Sequence, residues 1–228
     1  MTTLIGIRAG NGNGIEGVVL ASDSTMTRTN WVNQGDSAYR EQTRSEAKKI
    51  YVGENGEFAL CMSGFYDEPY TDFLSEVLKG KIDLRNVTKT GFFKEFANMN
   101  LARWGGRLPN NDRMSALLLA TRFEKPSLYT CYPLGHVEER RWTSIGSGSE
   151  HAIQYLSGKE IIPQEIGMGQ AINLAIEGLD EASRDIYTGG INLVTITEAG
   201  IEDFTSRINE AVKRAKTRVI TGIRNKFA

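Results

Sequence analysis

Two cysteines, two histidines and five prolines are spread over 228 residues. Each scarcity removes a class of explanation. Cys61 and Cys131 are too few for a disulfide framework. Both stand in apolar runs, the setting of buried, reduced thiols in an intracellular chain. Sequence gives no distance between them, so a single bridge stays open. No Cys-x-x-Cys, His-Glu-x-x-His or Walker loop occurs, so the common zinc and nucleotide signatures are missing. A Ser-His-Asp or Cys-His triad would have to use His136 or His151, and isolated histidines are ordinarily surface or core residues. Gly146-Ser147-Gly148-Ser149-Glu150-His151 begins like a dinucleotide loop but lacks its third glycine. Asn86-Val87-Thr88 is a formal glycosylation sequon, read as chance because no basic-then-apolar secretory opening precedes it. No apolar run approaches the ~20 residues of a membrane span; Ser115-Ala116-Leu117-Leu118-Leu119-Ala120 is typical of the longest. A net charge of −1 and a pI near 6.2 lack the basic excess of a bulk nucleic-acid binder. Neither nucleic acid nor membrane is an expected partner, and the expected location is cytoplasmic.

What is present is a chain with no repeat and no Pro- or Gly/Ser-rich linker, read as one domain over residues 1–228. A single domain of this length buries roughly 70–75% of the surface its unfolded chain exposes, so its core needs no staple. Leu4 to Ala9 and Gly17 to Ala21 read as strands around the glycine- and asparagine-rich turn at 10–14. Lys48 to Val52 and Phe58 to Met62 flank a second hairpin at Gly53-Glu54-Asn55-Gly56. The period then becomes helical at Tyr70, Phe73, Leu74 and Leu78, and at Phe92, Phe93, Phe96, Met99 and Leu101. Strands are expected at Ala116 to Phe123, Leu128 to Tyr132, Val137 to Ile145 and Ile191 to Ile196. Helical faces are expected at Ile172, Ala175, Ile176 and Leu179, and at Ile208, Val212, Ala215, Val219 and Ile223. Runs of strands packed by runs of helices predict a layered α+β architecture, with helices outside stacked sheets.

The chemistry begins with Thr2. Removal of Met1 by a methionine aminopeptidase, which tolerates a small second residue, leaves a threonine with a free α-amine and a free hydroxyl. An α-amine titrates near pH 8 and works as a base close to neutrality. One residue then carries both nucleophile and base. Many chains begin Met-Thr, so this alone decides little. Further fragments follow in order: Ala21-Ser22-Asp23-Ser24-Thr25-Met26-Thr27, Ala47-Lys48-Lys49-Ile50-Tyr51, Cys61-Met62-Ser63-Gly64, Ile145-Gly146-Ser147-Gly148-Ser149, and Arg184-Asp185-Ile186-Tyr187-Thr188-Gly189-Gly190-Ile191-Asn192.

Together, from Thr2 to about Thr197, these resemble the β subunits of the proteasome family of N-terminal nucleophile hydrolases, to which bacterial HslV peptidase is related. The resemblance implies a four-layer αββα sandwich of two stacked, mainly antiparallel sheets with helices on both outer faces. It implies a threonine endopeptidase inside a ring-shaped homo-oligomer, with α-type subunits and an ATPase unfoldase as partners, unfolded proteins or peptides as substrates, and no cofactor or metal. Residue by residue, Thr2 matches the nucleophile, and Asp23 the acid that orients the catalytic lysine. Lys49 matches that lysine. On a strand Lys48 and Lys49 would point to opposite faces, so one alone can enter the site; a cation beside the α-amine favours its neutral form. Gly64 matches the oxyanion donor, a group worth ~3 kcal/mol in such sites. Ser147 and Asp185 match residues that hold the nucleophile's amine and hydroxyl, and Thr188 stands where the family has serine. The specificity pocket maps to Met26, Ala47 and Met62, with backbone contacts from Thr27 and Tyr66, and its three apolar side chains imply cleavage after hydrophobic residues.

The likeness departs in places. Met1 is all that stands before Thr2 here, the first hairpin is longer than usual, and Thr25 replaces an arginine. Residues Asn30 to Thr43 read as an insertion near the pocket rim. Two other readings follow from the same residues: a non-catalytic β-type assembly subunit, or an amidase or peptide ligase using the same acyl-threonine.

Overall fold

The computed structural model describes residues 2–10, 15–34, 37–64, 68–85, 92–103, 115–183 and 190–211, with the backbone alone for 15, 27–34, 37–42, 93 and 103. Twelve strands and four helices follow in order: β1 (Thr3–Gly10), β2 (Ile15–Asp23), β3 (Thr25–Gln34), β4 (Ser37–Glu46), β5 (Ile50–Val52), β6 (Phe58–Ser63), α1 (Glu68–Leu78), α2 (Phe92–Arg103), β7 (Ala116–Thr121), β8 (Ser127–Cys131), β9 (Val137–Glu139), β10 (Trp142–Gly146), α3 (Ser149–Ser157), α4 (Met168–Ala182), β11 (Ile191–Thr197) and β12 (Gly200–Asp203). Residues 205–211 are again helical.

Two five-stranded sheets form the body, ordered β10-β1-β2-β11-β12 and β5-β6-β7-β8-β9. Every pairing in them is antiparallel. Strands of both sheets are apolar on both faces, as covered sheets require. Leu4, Val18, Leu20, Val194 and Ile196 from the first sheet meet Ile50, Ala59, Cys61, Leu118 and Leu128 from the second, forming the layer between them. The alternate residues Ile5, Ile7, Val19, Ala21 and Leu193 turn outward against α3 and α4. Phe58, Leu60, Met62, Leu117 and Leu119 turn the other way against α1 and α2. Period-two alternation thus feeds three apolar layers from two sheets, and the result is the expected αββα sandwich.

Cys61 and Cys131 are both free and buried. They lie on opposite faces of one sheet, Cys61 in the central layer and Cys131 under α1 and α2, so the bridge left open by the sequence is not formed. Burial raises both thiols far above their ordinary range. His136 and His151 are both exposed; among the described residues His136 bonds the Glu138 carboxylate.

The structure differs from the sequence reading in several elements, among them β12, which the sequence reading lacks. Val137 to Ile145 is not one strand. It breaks at Arg140 and Arg141, β9 ending the second sheet and β10 edging the first, so this segment carries the chain from one sheet to the other. The glycine-rich segment at 146–148 leads into a helix, α3, that periodicity did not reveal. The Asn30–Thr43 insertion belongs to a ribbon of two ten-residue strands, β3 and β4, paired from Thr25 opposite Glu46 to Gln34 opposite Ser37. The apolar stripe beyond residue 211 lies outside the described residues.

Candidate active site at the start of the first strand

Thr2 precedes β1 and is 8% exposed. Its carbonyl accepts a hydrogen bond of 2.8 Å from the backbone N–H of Ser147, at the junction of β10 and α3. That contact is possible only because residue 146 is glycine. Gly146 has φ +103°, and a Cβ there would fall 1.8 Å from the Thr2 carbonyl oxygen. The loop that resembles a phosphate cradle therefore cradles the chain's own start.

Asp23 ends β2 beside that start and is 1% exposed. Its carboxylate collects three donors. Oδ1 accepts the N–H of Thr3 at 2.6 Å, and Oδ2 accepts the N–H of Thr25 at 3.0 Å and Nζ of Lys49 at 2.7 Å. Lys48 and Lys49 stand just before β5, not on it, and still diverge. Lys48 is exposed and faces Asp203 at 3.7 Å, whereas Lys49 is 1% exposed. One carboxylate thus links the peptide joining Thr2 to Thr3 with a buried ammonium. A buried ion pair is weak evidence for stability, because desolvation offsets much of the attraction. This one sits where the strands converge on the chain start.

Burial holds Lys49 below its ordinary pKa of 10.5, against the opposing pull of Asp23 through charge and hydrogen bonding. Between the lowered native value and 10.5, the folded protein binds fewer protons here than the unfolded chain. The group's contribution to stability is therefore full above 10.5 and is lost as pH falls through the native value. Urea midpoints are expected to rise more steeply with pH, up to 10.5, for wild type than for Lys49→Met; parallel curves would refute the shift.

Gly64 follows β6 with φ +119°, and a Cβ there would lie 2.4 Å from Oγ of Ser115. Only glycine fits both the angle and the gap. Met26 and Ala47 are half-buried at opposite ends of the ribbon's base, with the N–H of Ala47 donating to the carbonyl of Ser24 at 2.7 Å. Met62 is fully buried against α1 and α2. Thr27 is placed by its backbone, opposite Arg44. Tyr66, Asp185 and Thr188 lie outside the described residues. The structure therefore brings Thr2, Asp23, Lys49 and Ser147 to the head of β1. Sequence reasoning gave no role to the Thr3 N–H or to Gly146, though Gly146 stood in a quoted fragment.

A family model described as proteasome subunit matches this chain over residues 2–196. The chain belongs to the proteasome subunit family. Its likeness is to β-type subunits. It is 36% identical over 203 residues to Proteasome subunit beta 1 of Thermococcus onnurineus, covering 86% of this chain and 91% of the relative. It is 29% identical to Proteasome subunit beta 1 of Thermococcus gammatolerans over 82% of this chain and 88% of that one. With Proteasome subunit beta 2 of Pyrococcus furiosus it shares 26% identity over 83% and 86%. Among the described residues no helix is long and apolar enough to cross a membrane, and no cluster of side chains suits a metal ion.

Proposed function

We propose that this proteasome-family chain is a threonine endopeptidase whose nucleophile is Thr2 once Met1 is removed. The observation that carries the reading is the Asp23 carboxylate, which bonds both the Thr3 N–H and the Lys49 ammonium. In this mechanism the Thr2 hydroxyl attacks the scissile carbonyl and its proton passes to the α-amine, directly or through water. Lys49, desolvated and oriented by Asp23, lowers the proton affinity of that amine. The N–H of Gly64 meets the developing oxyanion. The amine returns its proton to the leaving group, and water then hydrolyses the acyl-threonine ester. Ser147, Asp185 and Thr188 hold the nucleophile in place. Met26, Thr27, Ala47, Met62 and Tyr66 receive the substrate, whose residue before the scissile bond is apolar. The active unit is a ring of such subunits in the cytoplasm, capped by α-type subunits and fed by an ATPase.

The test pairs intact mass with turnover. Wild type is expected to begin at Thr2 and to cleave fluorogenic peptides, and Thr2→Ala to fall to background. Cleavage unchanged by Thr2→Ala would overturn the reading. A wild type that starts at Thr2, assembles and neither cleaves nor reacts with electrophilic peptides would leave the assembly role instead.

A further inference from the structure

We propose that Asn192 is a positioning residue for this site, setting the spacing between the segments that carry Asp23 and Lys49. The inference rests on the peptidase reading above. Asn192 interrupts the apolar start of β11, Ile191-Asn192-Leu193-Val194, and asparagine is disfavoured in strands. It is nonetheless buried. Its side chain has two donors on one nitrogen, and that nitrogen lies 3.4 Å from the carbonyl of Asp23 and 3.3 Å from the carbonyl of Ala47. These carbonyls belong to the two ends of the β3–β4 excursion. The chain leaves the first sheet after Asp23, runs out and back through the ribbon, and returns at Ala47, two residues before Lys49. The ribbon strands form a sheet of their own and join neither large sheet. Its base is closed by the bond from the N–H of Ala47 to the carbonyl of Ser24 and anchored by the N–H of Ser24 donating to the carbonyl of Gly190. Asn192 adds a side chain that bonds both ends.

The strand that carries Asn192 is itself fixed on both edges. On one side β11 pairs with β2, Ile191 opposite Asp23 and Asn192 opposite Ser22. On the other, Asn209 donates to the carbonyl of Ile191 and accepts its N–H, and Thr205 accepts the N–H of Leu193. A strand bonded on both edges thus presents one amide group to the two ends of the ribbon. Without it, the carbonyls of Asp23 and Ala47 lose this donor, and the Ala47–Ser24 bond alone is left to hold the backbone origin of Lys49 near Asp23. Displacements of about 1 Å near reacting groups cost on the order of a hundredfold in rate. Asn192 touches neither substrate nor nucleophile in this account; it acts through the 2.7 Å contact between Asp23 and Lys49.

The experiment uses assembled rings, with acylation of Thr2 by an electrophilic peptide measured alongside steady-state turnover. Asn192→Leu, an apolar residue of similar size, is expected to slow acylation about tenfold or more, with KM within about twofold. Asn192→Ser, which keeps a single donor, is expected to fall between Asn192→Leu and wild type. A purely structural residue would lower the melting temperature and leave the acylation rate of folded rings unchanged. That result, or a loss confined to KM, overturns the proposal. If Asn192→Leu does not assemble, Asn192→Ser decides alone: acylation at the wild-type rate counts against the inference. The parallel Thr2→Ala measurement separates the two failures. Turnover that depends on Thr2 but not on Asn192 sinks only this inference, whereas turnover independent of Thr2 removes its foundation.

Discussion

Gly146→Ala is expected to yield no stably folded protein. An alanine at φ +103° carries backbone strain of about 1–3 kcal/mol. The larger effect is steric. The new Cβ would stand 1.8 Å from the carbonyl oxygen of Thr2 and 2.8 Å from its carbonyl carbon, both backbone atoms that no rotamer change can move. Relief requires pushing the start of β1 away from β10, which breaks the pairing of Thr3 with Gly146 and the bond from Ser147 to Thr2. These losses compare with the whole stability of an ordinary domain, about 5–15 kcal/mol. The matched control is Gly56→Ala. Gly56 also has positive φ, +67°, but nothing lies within 4 Å of its Cβ position, so about 1–2 kcal/mol is expected. Soluble yield and urea unfolding of the two variants make the comparison. Equal stabilities would mean that Thr2 does not run past residue 146 as described.

Asp23→Ala is expected to destabilise the protein by about 3–5 kcal/mol, the usual consequence of leaving a buried charge without its partner. Three donors lose their acceptor at once: the Lys49 ammonium and the N–H groups of Thr3 and Thr25. Lys49→Met should cost less, because the carboxylate keeps its two backbone donors. Combining Asp23→Leu with Lys49→Met removes both charges, and that pair is expected to be more stable than Asp23→Ala alone. Urea midpoints of the four proteins test the order. A loss below about 1 kcal/mol for Asp23→Ala would show the carboxylate to be solvated, contrary to its 1% exposure. Peptide cleavage should vanish in both single variants under the proposed mechanism, including under conditions where Lys49→Met is fully folded.

The elements most legible in the sequence were those with strong apolar periodicity. Tyr70, Phe73, Leu74 and Leu78 read as one face; the first three are buried in α1, whereas Leu78 is half-buried and Val77 takes the inner position. The face of α4 was read slightly rotated. Ile172 and Ile176 are half-buried, while the small residues Ala171, Ala175, Gly178 and Ala182 take the innermost positions. Bulk suggested the core there, but close approach to the sheet selects for small side chains. The β3–β4 ribbon was invisible because its sequence, rich in Thr, Asn, Arg, Gln and Glu, has no aliphatic alternation to betray a strand. The break between β9 and β10 falls in the charged run Glu138-Glu139-Arg140-Arg141, which reads as part of one exposed strand as readily as a crossing between sheets. For the site, Asp23 and Lys49 look like a turn residue and a surface charge when read locally. Their meeting is a long-range event, fixed by β2 and β5 lying in different sheets, and only resemblance to a family could bring them together in advance. Gly146 carried no role of its own in the sequence, since a glycine loop reads the same whether it approaches a phosphate or a peptide.

The excursion between Ser24 and Ala47 has a consequence for descent. Its two ends meet through the backbone hydrogen bond from Ala47 to Ser24 and through the side chain of Asn192, so the separation of the acid from the lysine is decided at this neck and not by what hangs beyond it. Residues can be gained, lost or exchanged further out while the neck keeps its width. A lineage built on this plan is free to remodel the outer ribbon without retuning the charges beside Thr2.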